Sequence, residues 1–175
     1  MSEPSHYTVL REMLEARGFT VKVDHDTYDG LADYALNGFR ENEEIVALCL
    51  HSDKLDISTM KHCVQTLISN GIEHGIIVYR SSITPMAKRV ATTCEDIRLE
   101  LRQVSELQFN ITKHVLQPQY YRLLPDEALR FRRKYGAGFP VMKRTDKIAE
   151  FYDYRTGDVI RITRHNGYPM YRIVC

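Results

Sequence analysis

The chain has 175 residues, of which 43% are hydrophobic and 27% charged, with a formal net charge of +1. This composition excludes a disordered chain and fits one medium domain or two small ones. No run approaches the roughly 20 apolar residues of a membrane span, and Met1-Ser2-Glu3-Pro4 lacks the basic and apolar regions of a signal peptide, so an intracellular protein with no membrane partner is expected.

Cys49, Cys63, Cys94 and Cys175 are widely spaced and form no C-x-x-C pair, the pattern of reduced thiols. The near-neutral total hides a split. Residues 1–112 carry 11 Lys and Arg against 17 Asp and Glu, net −6, and residues 113–175 carry 13 against 6, net +7. Two units with different neighbours are expected; the two halves could also simply attract each other.

Val9, Leu10, Met13 and Leu14 recur at helical spacing and predict a helix over Ser5 to Arg17, ended by Gly18 with Phe19 packing back on Leu14. Phe19, Val21 and Val23 alternate with polar residues, which predicts a strand with one buried face. Asp29 to Phe39 reads as partly helical. The continuous apolar run Ile45 to Leu50 predicts a strand covered on both sides. A second helix over Ser58 to Asn70 puts Met60, Cys63, Val64, Leu67 and Ile68 on one side, and Ile76 to Tyr79 gives another buried strand. Strand, helix and strand in that order predict a partly parallel central sheet. Thr84-Pro85 opens a third helix, with Thr as N-cap and Pro at the first position. Ile97, Leu99 and Leu101, alternating with Arg98, Glu100 and Arg102, read as an outer strand.

The second unit begins near His114. Pro125 opens a helix with Asp126 and Glu127 in its first turn and Arg130, Arg132, Arg133 and Lys134 towards its end, both suited to the helix dipole. A short helical stretch between Asp146 and Tyr154 leads to a turn at Thr156-Gly157-Asp158. Strands Val159–Arg164 and Tyr168–Val174 follow, joined through His165-Asn166-Gly167. With Asn166 and Gly167 as a two-residue loop, Ile160 faces Ile173, Ile162 faces Tyr171, and Arg161 stands beside Arg172 on the polar face. Paired arginines repel, so Glu150, Asp158 or a partner's acidic group is expected over them, with Arg164 flanking.

The stretch Asn110-Ile111-Thr112-Lys113-His114-Val115-Leu116-Gln117-Pro118 resembles the hinge of subunit five of the eukaryotic-type DNA-dependent RNA polymerases, where N-I-T leads into H-x-L-x-P. Asp146 to Arg164, with its Thr156-Gly157-Asp158-Val159-Ile160 core, and the closing Tyr171-Arg172-Ile173-Val174 resemble that family's assembly domain, the part that the archaeal counterpart retains alone. Met60-Lys61, Gly75 to Tyr79 and Ile83-Thr84-Pro85 through Ala87-Lys88 are similar to its first half.

The resemblance implies a nuclease-like α/β jaw domain with a central mixed sheet over residues 1–112, and a small α+β assembly domain with a terminal β-hairpin over residues 113–175. It implies a non-catalytic polymerase subunit that anchors to the largest subunit and lies beside downstream DNA. DNA contact is expected at Thr84, Pro85, Met86, Ala87, Lys88 and Arg89, sequence-independent because phosphates position and bases specify. Partner contact is expected at His114, Pro118, Asp146, Gly157, Arg161, Arg164, Tyr171 and Arg172.

The chain departs from the family at Lys147, where proline is usual, at Glu150, and at Asp153, where glycine is usual; its loop after Arg164 is short. The N-terminal domain is short for a eukaryotic member, which suggests a divergent copy from a large DNA virus. A cellular member would act in the nucleus, a viral one in the viral factory or virion.

A nuclease-like fold raises the question of catalysis, since such enzymes hold metal with D…[D/E]-x-K. None of the eight lysines has an acidic residue two positions before it, and the expected motif strand ends Leu48-Cys49-Leu50-His51. Cys49, His51, His62 and Cys63 could be imagined as zinc ligands, but buried free thiols account for the cysteines as well. No cofactor is expected. A free-standing DNA-binding regulator and, further off, a metal-dependent nuclease are the rival readings.

Overall fold

The structure, a computed structural model, describes residues 5–24, 28, 30–136, 138–165 and 167–175. It divides into two compact units, Met1–Phe109 and Asn110–Cys175. No helix among the described residues is long and apolar enough to cross a membrane.

The first unit runs α1 (Ser5–Ala16), β1 (Thr20–Asp24), β2 (Ala32–Arg40), β3 (Glu43–Leu50), β4 (Lys54–Leu55), α2 (Ile57–Ser69), β5 (His74–Tyr79), β6 (Ser82–Ile83), α3 (Pro85–Thr93) and β7 (Arg98–Gln103). Its five-stranded sheet has the order β1-β2-β3-β5-β7; the first three strands are antiparallel to one another, and β3, β5 and β7 are parallel. A mixed sheet follows from the connections: a two-residue turn joins β2 to β3, while helices cross over from β3 to β5 and from β5 to β7.

Helix α1 closes as its sequence predicts. Gly18 takes φ +89°, its N–H donates to the Glu15 carbonyl (2.9 Å), and the Phe19 N–H donates to Leu14 (3.1 Å), the two bonds of a Schellman cap. Strand β3 is buried throughout Ile45–Leu50. Val46, Leu48 and Leu50 join Met60, Cys63 and Leu67 of α2, and Ala87 and Ala91 of α3, in one core. The alternate residues Ile45, Ala47 and Cys49 point to the opposite face, where α1 lies.

Three expectations fail in this unit. The stretch expected to be partly helical is strand β2, with Asp29 outside the described residues. Ala32, Ala35 and Leu36 repeat at helical spacing because a bulge between Ala32 and Tyr34 breaks the alternation that would mark a strand. Pairing with β1 and β3 then decides the conformation. The apolar face expected for the β1 region is buried only at Phe19, which lies under the Arg40 guanidinium (4.5 Å); Val23, on the sheet's edge strand, is 42% exposed. Ile68, expected inside, is also exposed.

The polar half of β7 is not solvent-facing. Glu100 accepts both ends of the Arg17 guanidinium (2.9 Å each), the His74 Nε2–H (2.8 Å) and one N–H of Arg102 (2.9 Å). The Arg17 side chain is 2% exposed and that of Glu100 is 11%. Burial alone would raise the Glu100 pKa, but the His74 hydrogen bond and the charges and hydrogen bonds of Arg17 and Arg102 outweigh it and hold the carboxyl well below its usual range. The network ties the end of α1 to β5 and β7.

The second unit runs β8 (Gln119–Arg122), α4 (Pro125–Tyr135), β9 (Val141–Met142), α5 (Lys147–Tyr152), β10 (Val159–Thr163) and β11 (Pro169–Val174). Its sheet has the order β8-β10-β11-β9. One face carries Ile160, Ile162 and Val174 against Ile148 and Ala149 of α5. On the other, Tyr171 packs its ring 4.5 Å from Phe131 of α4, and Phe131 lies 4.7 Å from Phe139.

Because the folded-state pKa of Glu100 is depressed, its contribution to stability is complete above the unfolded value of about 4.3 and is lost as pH falls towards the folded value. Glu100→Gln leaves the buried Arg17 without its carboxylate and is expected to cost about 3–5 kcal/mol at pH 7. Urea unfolding of parent and variant checks this, and the gap should narrow steadily once the pH is taken below 4.3.

Candidate nucleic-acid and partner interfaces

The expected DNA contact is built on a small parallel pair. Strand β4 pairs with β6, and the Thr84 N–H donates to the Leu55 carbonyl (3.0 Å), which fixes where α3 begins. The Thr84 hydroxyl accepts the Ala87 N–H (3.2 Å), its carbonyl accepts that of Lys88 (3.0 Å), and Pro85 has none. The first turn therefore keeps the Met86 N–H for an outside acceptor. Met86 is 55% exposed, and Lys88 and Arg89 are exposed and form no ion pair among the described residues. Ala87 is fully buried, so within this run it serves packing.

The four residues considered for metal chemistry do not converge as a set. Cys63 is buried in the core beneath α2, and desolvation pushes its thiol up to about 12. Cys49 faces the other side of β3, and burial raises its pKa too. His51 pairs with Asp33. His51 and His62 both line an open pocket of about 440 Å³ with Ser52, Ser58 and Thr59. Among the described residues no three His, Cys, Asp or Glu side chains are placed to hold a metal ion.

In the second unit the hairpin register differs by one from the expected pairing. Ile160 stands opposite Arg172, Arg161 opposite Tyr171 and Ile162 opposite Met170. Arg161 and Arg172 therefore lie on opposite faces and are not neighbours. The cause is in the loop: the Gly167 N–H donates to the Arg164 carbonyl (2.8 Å) and Gly167 has φ +78°. That is a turn followed by a left-handed bulge residue, which adds one residue to the loop and shifts the pairing. Asn166 lies outside the described residues.

The shift redistributes the candidate partner residues. Arg161 places its guanidinium 4.9 Å from the Tyr121 ring, on the same face as Tyr171. Arg172 lies on the other face, near Tyr120, whose hydroxyl pKa is raised by burial and by the Asp146 charge against the opposing charges of Arg172 and Arg164. Glu150 bonds Lys147 (3.0 Å), and Asp158 accepts the Arg155 N–H (2.8 Å) and lies 3.5 Å from Arg122. Asp146 caps α5 by accepting the Ile148 N–H (2.9 Å). Gly157, at φ +95°, donates to the Val174 carbonyl (2.8 Å), and its own carbonyl takes an Arg132 N–H. His114 accepts the Leu116 N–H at Nδ1 (3.2 Å), and Pro118 is half-buried. Asp153, which stands where glycine is usual in the family, takes φ +54° and ends α5 in the left-handed conformation.

Residues 109–174 match the family description "RNA polymerase Rpb5, C-terminal domain". Over its whole length the chain is similar to "Putative DNA-directed RNA polymerase subunit 454R" of Invertebrate iridescent virus 6, 31% identical over 96% of this chain and 97% of the relative. The chain belongs to the Rpb5 family of RNA polymerase subunits.

Cellular Rpb5 relatives are more distant. "DNA-directed RNA polymerases I, II, and III subunit RPABC1" of Caenorhabditis elegans is 29% identical over 69% of this chain and 61% of its own length. "DNA-directed RNA polymerases IV and V subunit 5B" of Arabidopsis thaliana is 25% identical over 87% of this chain and 78% of its own. The resemblance that began at the hinge thus extends into the first unit.

The revised hairpin can be checked at Gly167. A side chain there meets no neighbouring atom, so only the left-handed backbone opposes it. Gly167→Ala is expected to lower stability by about 1 kcal/mol, and Gly167→Asn by less, as Asn tolerates this conformation better. Thermal unfolding of both variants gives the order; equal values would argue against a left-handed residue at this position.

Proposed function

We propose that the protein is a structural, non-catalytic subunit of a multi-subunit DNA-dependent RNA polymerase. In this reading residues 110–175 are the assembly domain that anchors to the largest subunit, and residues 1–109 are a jaw beside downstream DNA. The observation that carries it is the similarity over nearly the whole chain to a viral polymerase subunit, together with the family match over the second unit. Both a nuclear and a viral setting are compatible with these relatives.

The absence of an active site is part of the proposal, and chemistry supports it. The C-terminal end of β3, where a nuclease of this fold class would stand its metal carboxylates, carries Leu48, Cys49 and Leu50, all buried. Carboxylates there would also have to be desolvated within an apolar core.

Contact with DNA would run through the start of α3. A free N–H at a capped helix end, two exposed cations and an exposed Met86 suit a phosphate backbone, and nothing in the group could read base edges. In the assembled polymerase, Lys88→Glu with Arg89→Glu is expected to weaken downstream-DNA engagement and to flatten its salt dependence, with assembly intact. Filter binding or footprinting across a salt series measures this. An unchanged slope would remove α3 from the DNA path.

A further inference from the structure

Within the second unit, Gln117 donates its N–H to the His114 carbonyl (2.9 Å), which closes a turn with Val115 and Leu116 at its corners. These are unusual corner residues, since turns favour Gly, Pro, Asn, Asp and Ser. Val115 is 78% exposed and Leu116 74%. The pairing of Gln119 with Thr163 sets this turn beside the loop between β10 and β11, and His165 Nε2 lies 3.1 Å from the Val115 carbonyl. That loop adds Tyr168, 74% exposed. Two aliphatic side chains and an aromatic one thus stand at the tip of the unit, where its own fold covers little of their surface.

The segments that build the patch carry no acidic residue; the Asp146 carboxylate acts nearby, at Tyr120. Residues 107–125 contain no Asp or Glu, and neither do residues 159–175, while they carry Lys113, His114, Arg164, His165 and Arg172. Arg164 and Arg172 form no ion pair among the described residues. Phosphates would satisfy the cations but would give Val115 and Leu116 nothing to bury against. A polypeptide that presents an apolar side chain flanked by carboxylates satisfies both.

We infer that Val115, Leu116 and Tyr168, with Arg164 beside them, form a docking patch for an acidic segment of a polymerase partner protein. The inference rests on the proposed role as a polymerase subunit and adds the surface and the chemistry of its partner. It also moves the anchor away from the paired-arginine face that the sequence suggested.

The test uses the full chain assembled with its own polymerase, carrying a photocrosslinking amino acid at position 116 or, as a control, at exposed Leu129 of α4. Position 116 is expected to join a segment of another subunit rich in Asp and Glu, and position 129 is not. In parallel, Leu116→Ser, Tyr168→Ser and Arg164→Glu are expected to release the subunit from the polymerase at lower salt than the parent, while Leu129→Ser is not; circular dichroism confirms that each variant folds.

Adducts from position 116 to nucleic acid or to an uncharged segment, or variants that hold as firmly as the parent, would overturn the patch and leave the subunit role standing. A parent chain that captures no polymerase subunit would overturn both.

Discussion

The first unit is organised by a strand that has no solvent face. From Ile45 to Leu50 every residue of β3 is at most 1% exposed, so both sides of the sheet must be covered. Burying each of the large side chains is worth roughly 1.5–3 kcal/mol, which no single-sided arrangement could supply. Helices α2 and α3 meet one side and α1 the other. The same constraint leaves no solvent-facing side chain along this part of the strand. At its C-terminal end Leu48, Cys49 and Leu50 are buried, and just beyond them His51 pairs with Asp33. What remains available for function is the rim, and the start of α3 is held there by the β4–β6 pair.

Charge is used differently in the two units. In the first, acidic overall, Glu100 is committed inwards. It accepts from Arg17, His74 and Arg102, and so joins three elements far apart in sequence with one carboxylate. A buried pair of this kind adds little over an apolar contact, but an orphaned charge is costly, so it specifies a single arrangement of α1 on the sheet. In the second unit several exposed cations have partners within the unit: Arg161 lies against Tyr121, Arg122 is near Asp158 (3.5 Å), and Arg132 bonds the Gly157 carbonyl. Of the remaining cations, Arg164 and Arg172 act at Tyr120, while Arg133, Lys143 and Arg144 are exposed elsewhere on the unit.

Local signals were well legible in the sequence. Thr84-Pro85, Gly18-Phe19 and Pro125 with its charged ends each mark an element boundary through chemistry confined to a few residues, and each boundary is where that chemistry puts it. The buried runs in β3 and β5 were equally clear. Less legible was anything that depends on one residue of register. The bulge beside Tyr34 turned a strand into an apparent helix, and the left-handed Gly167 displaced the hairpin by one position. In both cases a single inserted residue reverses every side chain beyond it, and nothing in the local periodicity announces the insertion. The family resemblance was carried by short motifs such as Asn110-Ile111-Thr112, which tolerate such shifts. It therefore identified the protein while the geometry of its candidate site was misplaced.

That displacement changes what the hairpin is for. With Arg161 beside Arg172, the polar face would hold a repelling pair that needs a carboxylate over it, from Glu150, Asp158 or a partner. In the observed register, Arg161 covers an aromatic ring of its own unit, Tyr171 packs under α4 through Phe131, and Arg172 shares a face with Ile160 and Tyr120. The two broad faces of the sheet are thus largely engaged by the unit's own helices and rings. A small domain whose faces are already covered must meet its partner at an end or an edge. The end where the hairpin loop meets the turn at Val115 and Leu116 combines exposed apolar surface with the exposed Arg164 and His165, and that combination suits an acidic protein segment.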